Sequence, residues 1–370
     1  MRILVIGPSW VGDMIMAQSL FITLQQQYAG RLQLDVLAPA WSKPLLARMP
    51  EVDNALELPF GHGDLSVVER YRLGKALRAR RYDQAILLPN SFKSALVPVF
   101  ASIPLRTGWR GEMRALVLND SRPLDSQALP LMVQRFVALA LPRGAKVPAA
   151  CPKPALRNEA AWVEKTLAAL GVPKMLSSAA YGARVASSGP GNRLVLCPGA
   201  EFGDAKQWPA THYAGLAALA IAQGWQVLIA GSANDAQVAA EIVKLVPAGM
   251  QHGCINLAGK TTLDQVVDVL ASATAVVSND SGLMHIAAAV QRPLVALYGS
   301  SSATFTPPLH EQAQVLTTDI ACRPCFQRRC PLGHKRCLTD IQADRVWQSV
   351  QDMVLQSTTV ETGSVEISGE

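Results

Sequence analysis

Three short stretches of this chain place reactive side chains where the backbone can use them. The first ends at Asp13, behind the apolar run Ile3, Leu4, Val5, Ile6 and the loop Gly7-Pro8-Ser9-Trp10-Val11-Gly12. A carboxylate delivered by a loop between strand and helix can act as a general base. The same residue can instead cap the helix that follows, or do both. The loop is not a P-loop, since Gly12 is followed by Asp13 and Met14 in place of Lys and Ser or Thr, and it lacks the three-glycine dinucleotide fingerprint.

The second stretch, Cys197 to Pro209, joins a strand end to a glycine-bearing loop, a single Lys206 and a proline suited to the first helical position. Backbone N–H groups in such a loop can face a phosphate with Lys206 beside it as a point charge. An ordinary loop with a surface lysine is the plainer alternative. The third stretch runs from Val276 to His285 and puts Ser281 and Gly282 at a helix N-terminus, where unpaired N–H groups and the positive dipole end suit a diphosphate. Asp280 either caps that helix or holds a ligand hydroxyl. His285, one turn further on, fits a packed residue better than a catalyst.

A different chemistry is written in Cys322-x2-Cys325-x4-Cys330-x6-Cys337, with His334 nearby. Four thiols within sixteen residues can bind a structural zinc ion or form another cross-linked structure, although the spacing matches neither common ribbons nor fingers. Disulfides are disfavoured in a reducing compartment.

The elements that must position these residues alternate between strand and helix. Strand patterns read at Ile3–Gly7, Leu34–Ala38, Ala55–Leu58 and Ala85–Pro89, with helical patterns at Met14–Tyr28 and Ser66–Arg80. After a helix at Glu159–Leu170 and a Gly, Ser, Ala and Pro-rich stretch, the alternation restarts with strands at Arg193–Cys197, Gln226–Ala230, Ala275–Ser278 and Leu294–Tyr298. The fold class is therefore α/β: two Rossmann-like domains facing a cleft. The expected limits are a first domain over 1–172, a linker over 173–192, a second domain over 193–340, a last helix over 341–355 and a disordered tail over 356–370.

With 370 residues, 49% hydrophobic and 17% charged, the chain can bury two large cores and is not globally disordered. No window holds the roughly 18 consecutive apolar residues of a membrane span, and the N-terminus opens on a strand in place of a signal sequence. A cytoplasmic location follows as an expectation. Residues 1–170 carry 21 basic against 13 acidic side chains, leaving 13 against 15 in the remainder. A basic half points to an anionic partner. Nucleic acid is the weaker candidate, because aromatics are 6% and form no visible stacking platform. Arg70, Arg72, Lys75, Arg78, Arg80 and Arg81 read as the solvated face of one helix.

The opening run to Asp13, together with Pro89 to Leu96, Arg106-Thr107-Gly108-Trp109-Arg110-Gly111-Glu112-Met113-Arg114, Cys197 to Pro209 and Asn279 to His285, resembles the ADP-heptose:lipopolysaccharide heptosyltransferases. The motifs occur in order through about residue 310. Gly-Pro-Ser-Trp before Val-Gly-Asp and the Arg106–Arg114 run favour the branch that adds the second inner-core heptose over the branch that adds the first. A UDP-sugar 2-epimerase would share the architecture without the first two motifs.

The resemblance implies a GT-B glycosyltransferase of family 9 that inverts the anomeric carbon and requires no metal. It implies Asp13 as catalytic base, and Lys206, Asp280, Ser281, Gly282, Leu283 and His285 around ADP-heptose. The acceptor implied is a lipopolysaccharide inner-core glycolipid rich in carboxylates and phosphates, met at the inner membrane face by a monomeric, peripheral enzyme. Lys93, Arg106, Arg110 and Arg114 are the candidate cations for those acids.

Overall fold

The computed structural model describes residues 1–61, 64–174 and 191–363. Two compact units account for them: Met1–Arg157 with Thr304–Pro307, and Asn158–Ala303 with Pro308 onward.

The first unit is built on β1 (Arg2–Ile6), β2 (Gln33–Ala38), β3 (Asn54–Glu57), β4 (Gln84–Leu87), β5 (Leu105–Trp109) and β6 (Asp120–Arg122). Its helices are α1 (Val11–Gln27), α2 (Lys43–Leu46), α3 (Val67–Leu77), α4 (Phe92–Phe100) and α5 (Met132–Ala140). All the pairings are parallel and the strand order is β3-β2-β1-β4-β5-β6. The central strands are largely apolar, as parallel strands covered on both faces tend to be. Ile3, Leu4 and Val5 are fully buried, and Gly7 ends β1 where a side chain would strike Ala38 and Met14. The one buried carboxylate of β2, Asp35, is satisfied by Arg80 Nη1 at 2.8 Å, Asn54 Nδ2 at 2.8 Å and the Tyr82 hydroxyl.

The second unit repeats the plan with β7 (Arg193–Cys197), β8 (Gln226–Ile229), β9 (Cys254–Asn256), β10 (Ala275–Asn279), β11 (Leu294–Leu297) and β12 (Ala313–Leu316). Around them lie α6 (Ala160–Ala169), α7 (Ala210–Ala222), α8 (Ala236–Leu245), α9 (Leu263–Ala271), α10 (Gly282–Ala289), α11 (Arg336–Thr339) and α12 (Ala343–Gly363). The parallel order β12-β11-β10-β7-β8-β9 is the same doubly wound order read from its other edge. Each sheet thus has a switch point at its middle, between β1 and β4 in one unit and between β7 and β10 in the other.

The units divide at Arg157, ahead of the expected linker at 173–192, most of which (175–190) lies outside the described residues. Helix α6, assigned by sequence to the first domain, packs on α9 of the second, where Thr166 donates to the buried Asp268 Oδ2 at 2.7 Å. The first unit instead recovers Thr304–Pro307, where Met132 N donates to Phe305 O at 3.0 Å and the Arg135 guanidinium stacks on the Phe305 ring. Helix α12 runs to Gly363, into the segment expected to be a disordered tail, and 364–370 lie outside the described residues.

Candidate active site

In the first unit the side chains of interest follow β1 and β4, the two strands flanking the switch point. Helix α1 begins at Val11, three residues before its apolar pattern predicts, so Asp13 is its third residue and Trp10 occupies the cap position. Capping by Asp13 is thereby replaced by a place in the first turn, where the helix dipole favours a carboxylate. Its side chain is half-buried.

Across the switch point, Arg114 is fully buried and acts as a clamp. It donates to Pro89 O at 2.7 Å, to Asn90 Oδ1 at 2.9 Å and to Trp109 O. Burial lowers its pKa, partly offset by Glu112. Glu112 in turn accepts the Phe92 N–H at 2.9 Å, at the start of α4. These bonds tie the loop after β4 to the loop after β5. Arg114 is therefore not an accessible cation for an acceptor. Arg106 is similarly committed, its Nε to Val117 O at 2.7 Å and its Nη1 to Ile103 O at 2.6 Å. Of the four candidate cations, Lys93 on the first turn of α4 and the exposed Arg110 present their charge on the two tied loops. Arg70, read as solvated, is also buried, donating to Asp64 O, Leu65 O and Lys93 O and covering the Phe60 ring.

In the second unit the loops after β7 and β10 meet. Lys206 Nζ lies 2.6 Å from Asp280 Oδ2, and the same oxygen accepts the hydroxyl of the buried Ser301. The ammonium also stands 4.9 Å from the Phe202 ring centre. Two neighbours fix the loop that carries Lys206. Trp208, fully buried, donates from Nε1 to Ile341 O at 2.9 Å, and its backbone N–H donates to Asn279 Oδ1 at 3.1 Å. Asn279 takes a further bond from the Tyr213 hydroxyl at 3.1 Å and donates from Nδ2 to Pro198 O at 2.7 Å. This last residue of β10 therefore fastens its own strand end to the β7 loop.

Ser281 is the cap residue of α10 in extended conformation, and Gly282 is its first helical residue. Ser281, Gly282 and Leu283 are half-buried, so the helix start is accessible while Met284 and His285 lie in the core. Pro209 likewise caps α7, one position before the first helical residue. Burial lowers the His285 pKa to about 4, with Asp280 raising it and Lys206 lowering it further. The imidazole is neutral at pH 7 and lies within electrostatic reach of Asp280 and Lys206.

Cys322, Cys325 and Cys330 are half-buried, Cys337 is buried, and all four are free thiols. They line one pocket with Ser300, Arg323, His334 and Lys335. Among the described residues no three His, Cys, Asp or Glu side chains stand together so as to hold a metal ion in their present positions. The zinc expected at these cysteines thus has no preformed site.

Residues 70–336 match the model of glycosyltransferase family 9 (heptosyltransferase). The chain belongs to this family. Lipopolysaccharide heptosyltransferase 2 of Escherichia coli (strain K12) is 48% identical over 358 residues, 96% of this chain and 99% of that protein. Lipooligosaccharide heptosyltransferase 2 of Haemophilus influenzae is 50% identical over 321 residues, 85% of this chain and 88% of the relative. The solved structure of E. coli ADP-heptose lps heptosyltransferase II superposes with a TM-score of 0.84 at 46% identity, covering 97% of this chain and all of that one.

For a family 9 glycosyltransferase the geometry sorts the sequence candidates. Lys206, Asp280, Ser281, Gly282 and Leu283 converge at one strand-end junction of the second unit, with His285 behind them. Asp13, Lys93 and Arg110 belong to the corresponding end of the first unit. Two residues in contact with the Lys206–Asp280 pair escaped the sequence reading. Ser301 follows β11, and a strand-end Gly299-Ser300-Ser301 run was the available signal. Phe202 sits in the glycine-bearing loop with Lys206, where its ring contact has no sequence signature.

Proposed function

We propose that this enzyme transfers L-glycero-D-manno-heptose from ADP-heptose to the first heptose of the lipopolysaccharide inner core. The observation that carries the donor half is the Lys206–Asp280 pair beside the open N-terminus of α10. An ammonium has three N–H donors, and Asp280 takes one while holding the group in place. The remaining donors and the first N–H groups of α10 suit the two phosphates of a nucleoside diphosphate. As the bond from anomeric carbon to diphosphate breaks, negative charge grows on the leaving group. Preplaced donors then stabilise the transition state more than the ground state.

Asp13 is the base in this reading. Its carboxylate accepts the proton of the acceptor hydroxyl while that oxygen attacks the anomeric carbon from the face opposite the departing ADP, which inverts the centre. Lys93 and Arg110 meet acidic groups of the acceptor. The excess of basic over acidic side chains in residues 1–170 supports an anionic glycolipid as that acceptor. No helix among the described residues is long and apolar enough to cross a membrane. In this reading the enzyme meets its acceptor from the cytoplasmic side, at the inner membrane face and as a monomer.

The donor half is tested by nucleoside diphosphate release in EDTA, in the presence of an inner-core acceptor, comparing ADP-heptose with UDP-N-acetylglucosamine as the rival donor. Turnover with ADP-heptose alone is the expected result. Turnover with the UDP-sugar, or a requirement for added Mg²⁺, would overturn the proposed site.

A further inference from the structure

Residues 317–335, between β12 and α11, contain no regular element. Structureless segments longer than about 12–15 residues are uncommon in compact domains, and those that hold one shape need a tie. Apolar packing holds only the segment's start, where Ile320 sits against the core, while Phe326 and Leu332 are exposed at 53% and 62%. Yet the segment makes specific contacts with the loop that carries Lys206 and with the loop after β11. Arg328 O accepts the Ala205 N–H at 3.2 Å, Phe326 N donates to Ser300 O at 2.7 Å, and Lys335 Nζ pairs with Asp204 at 2.8 Å. Gly203, at φ 151°, passes so close that a side chain there would stand 2.3 Å from Arg328 O. Such contacts define a position only if the segment itself is rigid.

The segment contributes Cys322, Cys325 and Cys330 to one pocket, which Cys337 of α11 completes, and none of the four is in a disulfide. The Gly333 N–H donates to Cys330 O at 3.2 Å, so the chain turns back on itself beside this cysteine. Arg323 and Lys335 line the same pocket, and Arg336 follows directly. A divalent ion on four thiolates leaves a net charge of −2, which these cations offset.

We propose that Cys322, Cys325, Cys330 and Cys337 bind one thiophilic divalent ion, zinc or ferrous iron, and that the site assembles as the ion binds. The side chains are not gathered at ligand distance beforehand, and coupling of metal binding to local folding is the usual behaviour of small sites. Four thiols release their protons to solvent and four sulfur–metal bonds form, with no change of oxidation state. Four sulfurs with no open position make a structural ion. Its role is to hold 317–335 against the Gly203–Lys206 loop, a consequence that rests on the donor site proposed above.

The test is metal analysis of untagged, full-length protein purified under reducing conditions, covering zinc and iron together. One ion per chain is expected, and which metal is found distinguishes the two sources. Cys322→Ser with Cys330→Ser should lose the ion, whereas Cys254→Ser should keep it. Should the double variant fail to fold, Co²⁺ titration of chelator-treated wild type reads the same claim, through sulfur-to-cobalt charge-transfer absorption that saturates at one equivalent. Metal-free protein that takes up neither Zn²⁺ nor Co²⁺, or retention of the ion by the double variant, would overturn the proposal. Metal content is independent of turnover, so loss of this inference and loss of the donor-site reading are separate results. If both hold, removing the ion raises KM for ADP-heptose several-fold and leaves the acceptor KM unchanged.

Discussion

Lys206 Nζ and Asp280 Oδ2 are 2.6 Å apart although 74 residues separate them in the chain. One follows β7 and the other β10, so the bond bridges the point where the sheet order reverses. At 17% and 6% side-chain exposure the pair is shielded from screening, which makes it a directional anchor for the ammonium. Lys206→Ala should lower kcat/KM for ADP-heptose by about tenfold to a hundredfold, roughly 1.4–2.7 kcal/mol of transition-state stabilisation. Steady-state kinetics with varied donor check this. Unchanged kinetics would remove Lys206 from the donor site.

Ser301 shares the Asp280 oxygen that Lys206 uses and is itself buried. Ser301→Ala leaves the carboxylate one donor short and free to turn, so Lys206 loses its fixed position. A several-fold rise in KM for ADP-heptose with little change in the acceptor KM is expected, and Ser301→Thr should restore most of the loss. An equal effect on both substrates would point to a general packing defect.

Asp13→Asn keeps the size of the side chain and removes its basicity. Turnover should fall by about 10²- to 10⁴-fold, the usual contribution of a positioned base. ADP binding by calorimetry should stay within a few fold. Loss of ADP affinity or of thermal stability would assign Asp13 a structural role in α1.

The two classes of arginine near the first-unit loops separate experimentally. Arg114→Met strips three carbonyl groups of their shared donor inside the fold, and should cost roughly 3 kcal/mol of stability or more. Arg110→Ala should leave the melting temperature within about 2 °C, as exposed substitutions do, and raise the acceptor KM. Denaturation curves and acceptor titrations read both.

Burial holds His285 neutral, with its pKa at about 4 against an ordinary 6.5. The unfolded chain binds a proton at His285 below pH 6.5 and the folded one does not until pH 4, so stability falls as pH drops through that window. At pH 5 the loss is about 2 kcal/mol relative to pH 7. His285→Gln should flatten this part of the pH–stability curve, which urea denaturation at several pH values can show.

The central strands were legible because a parallel strand buried on both faces leaves an unbroken apolar run, as Ile3 to Ile6 and Val276 to Val277 do. Strands β5, β6, β9 and β12 were not, being short or rich in polar side chains: Arg106 and Gly108 break the apolar run of β5. The domain limit was misplaced for a related reason. Composition marks the Gly and Ser-rich 171–192 stretch, but the docking of α6 depends on Thr166 meeting Asp268, 102 residues away. The residues proposed to hold the donor were visible as strand-end loops beside helix starts, a local signal. The fates of Arg106 and Arg114 were invisible, since a clamping arginine and an accessible one have the same letter and the same neighbours.

The most direct test of the proposed reaction compares two acceptors under identical conditions with ADP-heptose as donor: Kdo2-lipid A, and the same glycolipid already carrying one heptose. Mass spectrometry of the products should show one added heptose on the heptosylated acceptor and none on the bare one. Addition to the bare acceptor alone would contradict the assignment and make the enzyme one that adds the first heptose.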